Sequence, residues 1–143
     1  MEPSPQELRR AHLKAQLQLA RRAGAALRES LAAEPKTEER MEALTARFAR
    51  LADVLTQKVF RAVDALELED EGSLIDRLNR MEKRGVIPSA QLWRDIRDIR
   101  NQIAHEYALD SLDGLHRAVL AKAPALLDAL PAVEDFVRRR GLA

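Results

Sequence analysis

Apolar residues recur at steps of three and four along most of the chain, the spacing that places side chains on one face of an α-helix. The first such stripe comprises Leu13, Leu17, Ala20, Gly24, Leu27 and Leu31. Ser4, followed by Pro5 and by Glu7 three residues after the serine, matches an N-terminal capping box with proline at the first helical position. These features predict a first helix from Ser4 to about Ala33, and Gly24 within the stripe indicates a close approach of another helix.

A second, longer helix is predicted after Pro35, which interrupts the first stripe. Thr37 can cap it, and Glu38 and Glu39 add negative charge where the helix dipole favours it. The apolar positions that follow are Met41, Leu44, Phe48, Leu51, Leu55, Val59, Ala62 and Leu66. This run of about seven turns is long enough to lie antiparallel against the first helix.

Two more helices are predicted between residues 73 and 107. Ser73 with Asp76 three residues later opens a short helix, and Gly85 marks its end. Ser89 can cap the next helix, which continues to about Tyr107.

A last helical region is predicted after a cap at Asp110 or Ser111. Pro124 and Pro131 are expected to kink or divide it, because proline has no N–H to donate to the helical ladder. No segment shows strand-like alternation or an internal repeat. The sequence therefore predicts an all-α, up-and-down bundle of about five helices, forming a single domain over residues 1–143.

Composition narrows the possible chemistry. The chain has 46% hydrophobic residues but only 3% aromatic ones, and it has no cysteine, which excludes disulfides, thiolate nucleophiles and cysteine-ligated zinc. The net charge is +1, so any contact with RNA must be local. Without a signal-like N-terminus or a long apolar run, the chain is predicted to be soluble, cytoplasmic and free of membrane contact.

The stretch RDIRNQIAHEYALD, residues 97–110, carries the candidate chemistry. On a helical wheel with Trp93 at zero and about 100° per residue, one apolar face between about 240° and 320° contains Ile96, Ile99, Ile103 and Tyr107. Asn101 and His105 fall at about 80° and 120°, so His105 is predicted to face away from the core, within hydrogen-bonding reach of Asn101. Arg100 lies at the edge of the apolar face, and its long side chain can extend towards the polar side.

This segment resembles the R-x4-H-x-Y motif of HEPN-domain toxins of the HepT type, with Arg100, His105 and Tyr107 at the motif positions and Asn101 after the arginine. The segments SLIDRLNRMEKRGVIPSAQLW and FARLADVLTQKVFRAV are similar to the same HepT-like family, whose older label is nucleotidyltransferase substrate-binding protein. The resemblance covers nearly the whole chain and does not include the first dozen residues or those after Pro131.

The resemblance implies a helical homodimer that cleaves RNA without a metal ion, and a minimal nucleotidyltransferase antitoxin that transfers adenylate to Tyr107. Cleavage through the RNA 2′-hydroxyl needs proton transfer and positive charge at the phosphate, and a histidine titrates in the right range. A two-fold dimer would supply two copies of His105 and Arg100. We therefore expect His105 to transfer protons, Arg100 to contact the scissile phosphate and Asn101 to orient the pair.

Other interpretations of the motif remain open at this point. The protein could be a non-catalytic subunit that presents substrate to a nucleotidyltransferase, or a purely structural bundle. His12 and His116 are interpreted as ordinary surface or core residues, and Arg94, Arg97 and Asp98 as a solvated face that could guide RNA. No cluster of residues has metal-ligand spacing, so neither a metal nor another cofactor is expected.

Overall fold

The structure, a computed structural model, describes residues 2–105 and 112–143, and within these ranges the regular secondary structure is entirely helical. Five helices follow one another along the chain. Helix α1 is Pro5–Ala32, and α2 is a continuous helix with three parts, α-helical Glu38–Asp53, π-helical Val54–Val59 and α-helical Phe60–Leu66. Helix α3 is Leu74–Lys83, α4 is Ala90–His105 and α5 is Leu112–Arg139. The predicted all-helical class and the number of helices are confirmed.

Side-chain caps fix the beginnings of the first three helices as the sequence predicts. The Ser4 hydroxyl accepts a hydrogen bond from the Glu7 N–H at 3.1 Å, and the Glu7 carboxylate accepts from the Ser4 N–H at 3.2 Å. Thr37 caps α2 through the backbone N–H of Arg40. Ser73 caps α3 in the same way as Ser4 caps α1.

Helix α3 ends in the backbone arrangement that the glycine at position 85 predicts. Gly85 has a φ of +77°, a conformation that side chains disfavour. The Val86 N–H donates to the Met81 carbonyl and the Gly85 N–H donates to the Glu82 carbonyl, both at 3.0 Å. This pair of hydrogen bonds is a Schellman motif, and it turns the chain towards α4.

Helices α1 and α2 run antiparallel and form the centre of the fold. Arg47, near the start of α2, donates a hydrogen bond to the Ser30 hydroxyl near the end of α1. Arg22, which comes earlier in α1 than Ser30, lines the same groove as Arg50, which comes later in α2 than Arg47. Positions later in α2 thus lie beside positions earlier in α1, as in an antiparallel pair. Helices α4 and α5 both pack against α2. The largest fully buried side chains are Trp93, Phe48, Phe60, Leu13, Leu27, Leu44, Leu51, Leu55, Leu78, Met81, Ile87 and Ile96.

The close approach predicted at Gly24 is confirmed. Gly24 is buried, and a Cβ built on it would lie only 2.4 Å from Leu130 Cδ1 of α5. A side chain at position 24 would require Leu130 of α5 to shift.

Of the two outcomes predicted for the last helix, division is wrong, because α5 continues through both Pro124 and Pro131, while a kink stays a prediction. The two prolines are seven residues apart, so they lie on one helix face, and both are exposed. The opposite face buries Val119, Ala123, Leu126, Leu130, Val133 and Val137. Burial of this apolar stripe offsets the two hydrogen bonds that the prolines remove. The caps predicted at Asp110 or Ser111 lie outside the described residues.

Candidate functional site

Helix α4 is fixed at its start by two side chains that accept backbone hydrogen bonds. The Ser89 hydroxyl accepts from the Leu92 N–H at 3.2 Å, as expected for the predicted cap. Glu82 of α3 accepts from the Ala90 N–H at 2.6 Å. Since Glu82 belongs to α3, its hydrogen bond holds the start of α4 against α3.

The apolar face of α4 determines which of its side chains remain accessible. Trp93 is fully buried, with its ring centroid 5.3 Å from that of Phe60 of α2. Ile96 and Ile99 are buried as well, and Ile103 is partly buried. The predicted apolar face of the helix is therefore confirmed for its described residues.

Asn101 and His105 are both exposed, four residues apart on the same side of α4. This confirms the prediction that His105 points away from the core. An exposed imidazole at the end of a helix is accessible to a substrate or to a second protein chain. Tyr107, the third residue of the motif, lies outside the described residues.

The guanidinium group of Arg100 forms a two-pronged salt bridge with Asp53 of α2. Arg100 Nε lies 2.7 Å from Asp53 Oδ1, and Arg100 Nη2 lies 2.8 Å from Asp53 Oδ2. Both side chains are about two-thirds or more buried, with exposed fractions of 27% for Arg100 and 34% for Asp53. The hydrogen bonds to Asp53 raise the pKa of Arg100 above its ordinary value. The sequence predicts that Arg100 extends to the polar side, but in the structure its guanidinium is directed to α2.

Asp53 also binds Arg97, whose Nη1 lies 3.1 Å from Asp53 Oδ1. The Asp53 carboxylate thus accepts hydrogen bonds from two guanidinium groups. The three side chains together have a net charge of +1. A guanidinium has five N–H donors, and Asp53 uses two of those on Arg100. Within residues 2–105 and 112–143 the remaining donors of Arg100, including both on Nη1, have no other partner, so they can donate to a phosphate oxygen. Arg94 and Asp98 are exposed on the same helix.

Asp53 is the member of this cluster that the sequence prediction missed. It stands in the run LADVL, among Leu51, Ala52, Val54 and Leu55, which are all buried. A carboxylate next to buried apolar positions needs a cation or hydrogen-bond donors. The placement of Asp53 among apolar residues therefore indicates that its carboxylate has a partner, although the sequence does not identify Arg97 or Arg100 as that partner.

The π-helical part of α2 begins immediately after Asp53. Within it, the Thr56 hydroxyl donates to the Ala52 carbonyl at 2.7 Å, and the Thr56 carbonyl accepts from the buried Arg77 of α3 at 3.1 Å. Burial lowers the pKa of Arg77, and the charge of Arg61 lowers it further. Widened helical turns of this kind occur often at functional sites. Here the widened turns lie next to the carboxylate that holds Arg100.

No protein-family model, no curated protein and no solved structure matches this chain. Within residues 2–105 and 112–143, no three acidic or histidine side chains are grouped so that they could hold a metal ion. None of the described helices is both long and apolar enough to cross a membrane.

Proposed function

We propose that this protein is the toxin component of a HEPN-type pair, a metal-independent endoribonuclease that acts as a homodimer in the cytoplasm. The observation that supports this proposal is the arrangement on α4. Exposed Asn101 directly follows Arg100 and exposed His105 lies between one and two turns further along. The Arg100 guanidinium is held by a carboxylate, and among the described residues its other N–H donors have no partner. RNA cleavage through the 2′-hydroxyl needs a group that titrates near neutral pH and a cation at the phosphate.

Each residue has a defined part in the proposed reaction. One of the two His105 copies removes the proton from the ribose 2′-hydroxyl, and the 2′-oxygen attacks the adjacent phosphorus. The bond to the 5′-oxygen of the next nucleotide breaks as the other copy gives that oxygen a proton, which leaves a 2′,3′-cyclic phosphate and a 5′-hydroxyl. His105 from the two subunits exchanges these protons, Arg100 neutralises the phosphorane and Asn101 orients the imidazole. One chain supplies a single His105, so the site is complete only in a dimer.

Tyr107 is proposed as the acceptor of adenylate from a cognate minimal nucleotidyltransferase, the antitoxin. A nucleotide on the phenol oxygen, two residues from His105 along the chain, would place negative charge and bulk where the RNA phosphate must enter. This modification would therefore stop cleavage.

A second candidate function is that of a non-catalytic substrate-binding subunit for such a nucleotidyltransferase. The neutralisation of Arg100 by Asp53 favours this alternative, because a paired guanidinium has a weaker field at a phosphate than an unpaired one. Both candidates require a nucleotidyltransferase partner, and they differ in whether RNA is cut.

Expression in a bacterial host separates the two candidates. For the toxin, wild-type protein stops growth, while His105→Ala and Arg100→Ala restore growth at equal protein level and with unchanged circular dichroism. His12→Ala is the matched control, since His12 is exposed on α1 and should leave toxicity intact. If the host grows equally well with wild type and with all three variants, the toxin proposal is contradicted and the binding subunit is supported.

Mass spectrometry of the protein co-expressed with a minimal nucleotidyltransferase tests the role of Tyr107. We expect a mass increase of one adenylate on the peptide that contains Tyr107, and none in Tyr107→Phe. An unmodified tyrosine in a stable complex of the two proteins would contradict adenylylation.

A further inference from the structure

A groove of about 250 Å³ lies between α1 and α2, outside the cluster of Asp53, Arg97 and Arg100. Its lining consists of three apolar residues and three arginines, Leu19, Ala23, Ala26, Arg22, Arg47 and Arg50. None of these described lining residues is acidic. The groove is therefore a local concentration of positive charge in a chain whose net charge is only +1.

The three arginines of the groove differ in how they are held. Arg47 Nη1 donates to the Ala26 carbonyl at 3.1 Å and to the Ser30 hydroxyl at 2.8 Å, so its guanidinium is fixed without losing its charge. Arg22 and Arg50 are exposed, and within the described part of the chain neither side chain forms a hydrogen bond or salt bridge. In contrast, Asp53 partly neutralises Arg97 and Arg100. The groove offers one fixed and two adjustable cations, a set suited to successive phosphates.

Arg50, which lines the groove, lies three residues before Asp53 of the proposed catalytic site. Arg47, Arg50 and Asp53 are spaced by three residues, and each such step advances about 4.5 Å along the helix and turns by about 60° around it. Arg50 therefore lies between Arg47 in the groove and Asp53, which contacts α4. Along this direction arginines of α1 and α2 are followed by Asp53 and then by Arg97 and Arg100 of α4.

We propose that this groove binds the phosphodiester backbone of a single-stranded RNA, away from the bond that is cut; this inference rests on the proposed ribonuclease function. Backbone binding follows from the lining, which has guanidinium donors but no aromatic side chain on which a base could stack. Binding in the groove is consequently independent of base sequence. It holds a strand whose continuation reaches Arg100 and His105.

Salt-dependent binding of a short fluorescent oligouridine tests the proposal, in a His105→Ala background so that the RNA stays intact. Arg22→Gln/Arg50→Gln is compared with Arg10→Gln/Arg28→Gln. The second pair removes the same charge from exposed positions of α1 that do not line the groove. For single strands, each lost phosphate contact reduces the slope of log K against log salt by about 0.7. We expect this reduction for each groove arginine and no change in the control pair.

Equal slopes and affinities in the two double variants would overturn the groove proposal, as would a background protein that does not bind the oligouridine. Cleavage by the otherwise wild-type protein separates this inference from the proposed function. Groove substitutions should raise KM and leave kcat unchanged. Cleavage with an unaltered KM would reject the groove and keep the ribonuclease. Groove-dependent binding without any cleavage by wild type would reject the ribonuclease and keep the groove.

Discussion

Asp53 and Arg100, 47 residues apart in the chain, face each other across α2 and α4 with two nitrogen–oxygen distances of 2.7 and 2.8 Å. The pair fixes the plane of the guanidinium and leaves its Nη1 edge unused by Asp53. Arg97 binds the same carboxylate, so three side chains from two helices form one network. We conclude that Asp53 acts as a positioning residue for Arg100.

The first prediction concerns Asp53→Asn. An amide can accept from only one of the two Arg100 donors, so the guanidinium loses its fixed orientation. In the proposed ribonuclease Arg100 contacts the transition state, and misplacement of such a group lowers kcat by about tenfold to a hundredfold, so we expect a decrease in that range. The free energy of unfolding should fall by only about 1 kcal/mol, since both side chains retain contact with water. Single-turnover RNA cleavage and urea denaturation measure the two effects.

A double variant tests whether Asp53 acts through Arg100. If it does, Asp53→Asn adds little to the cleavage defect of Arg100→Ala, because the group it positions has already been removed. Multiplicative defects in the double variant would show that Asp53 has a separate role. The exposed Asp98→Asn, on the same helix as Arg100, is the matched control and should cleave like wild type.

Much of this fold follows from local sequence signals. The helix starts at Ser4, Thr37 and Ser73 depend on a side chain and a backbone N–H three residues apart, so the sequence itself contains both partners. The exposure of His105 follows from the period of the helix and the neighbouring isoleucines. Such features need no knowledge of how helices pack.

The network around Asp53 could not be predicted in the same way. Its partners lie on another helix, and an apolar stripe does not specify which residues of two helices come opposite each other. The π-helical turns of α2 were missed for a related reason. The stripe has two successive steps of four residues at Leu51, Leu55 and Val59, but such steps are also ordinary in an α-helix. The low helix propensity of proline predicts a break at Pro124, but α5 continues there because its apolar face is packed in the core. Helix propensity alone does not account for that packing.

A second prediction concerns Asp64, which is buried near the end of α2 and binds two arginines. Arg80 Nη2 of α3 lies 2.8 Å from Asp64 Oδ2, and Arg84 Nη1 binds the other oxygen. The hydrogen bond that Arg80 donates to Asp64 is the main cause of the raised pKa of Arg80. Asp64→Asn would remove the counter-charge that the largely buried Arg84 has among the described residues. Arg80, also largely buried, would keep only the longer salt bridge from its Nε to Glu69 Oε2, at 3.5 Å. We expect a loss of roughly 2–3 kcal/mol in the free energy of unfolding, because Arg80 and Arg84 keep some contact with water.

Arg138→Gln provides the comparison for Asp64→Asn. Arg138 is largely exposed, with 74% of its side chain accessible, and its salt bridge to Asp135 spans a single helical turn. Its loss should cost less than about 1 kcal/mol. Equal destabilisation of the two variants in urea denaturation would contradict a special role for burial at Asp64.

A third prediction concerns Gly24 and its close contact with Leu130. Alanine is a better helix former than glycine by about 1 kcal/mol, so Gly24→Ala would be stabilising in an open helix. Here the new Cβ would lie 2.4 Å from Leu130 Cδ1, and Leu130 is itself buried. Overpacking of this kind costs about 1–3 kcal/mol. We therefore expect a lower midpoint of thermal unfolding in Gly24→Ala.

Gly114→Ala is the matched control for Gly24→Ala. Gly114 also lies in a helix, but it is exposed. Apart from the backbone of its own helix, the nearest described atom to a new Cβ would be Arg117 Nη2 at 4.0 Å. The substitution should raise the midpoint by reducing the freedom of the unfolded chain, with a gain of up to about 1 kcal/mol. A shift in the same direction for both variants would contradict the steric explanation.

A fourth prediction concerns the response of α3 to acid. The Ser73 N–H and the Ser73 hydroxyl donate to Asp76 Oδ2 at 3.0 and 2.9 Å, and these hydrogen bonds lower the pKa of Asp76 below its ordinary value of 3.8. Since the folded-state pKa is the lower one, the stabilisation is complete above 3.8 and is lost as the pH falls through the folded-state pKa. Ser73→Ala removes the hydroxyl and should raise the pKa of Asp76 towards 3.8, as measured by NMR titration of its side-chain carbonyl. Ser4→Ala, which removes the equivalent cap of α1, should leave that titration unchanged, and an identical pKa in wild type and Ser73→Ala would contradict the assignment.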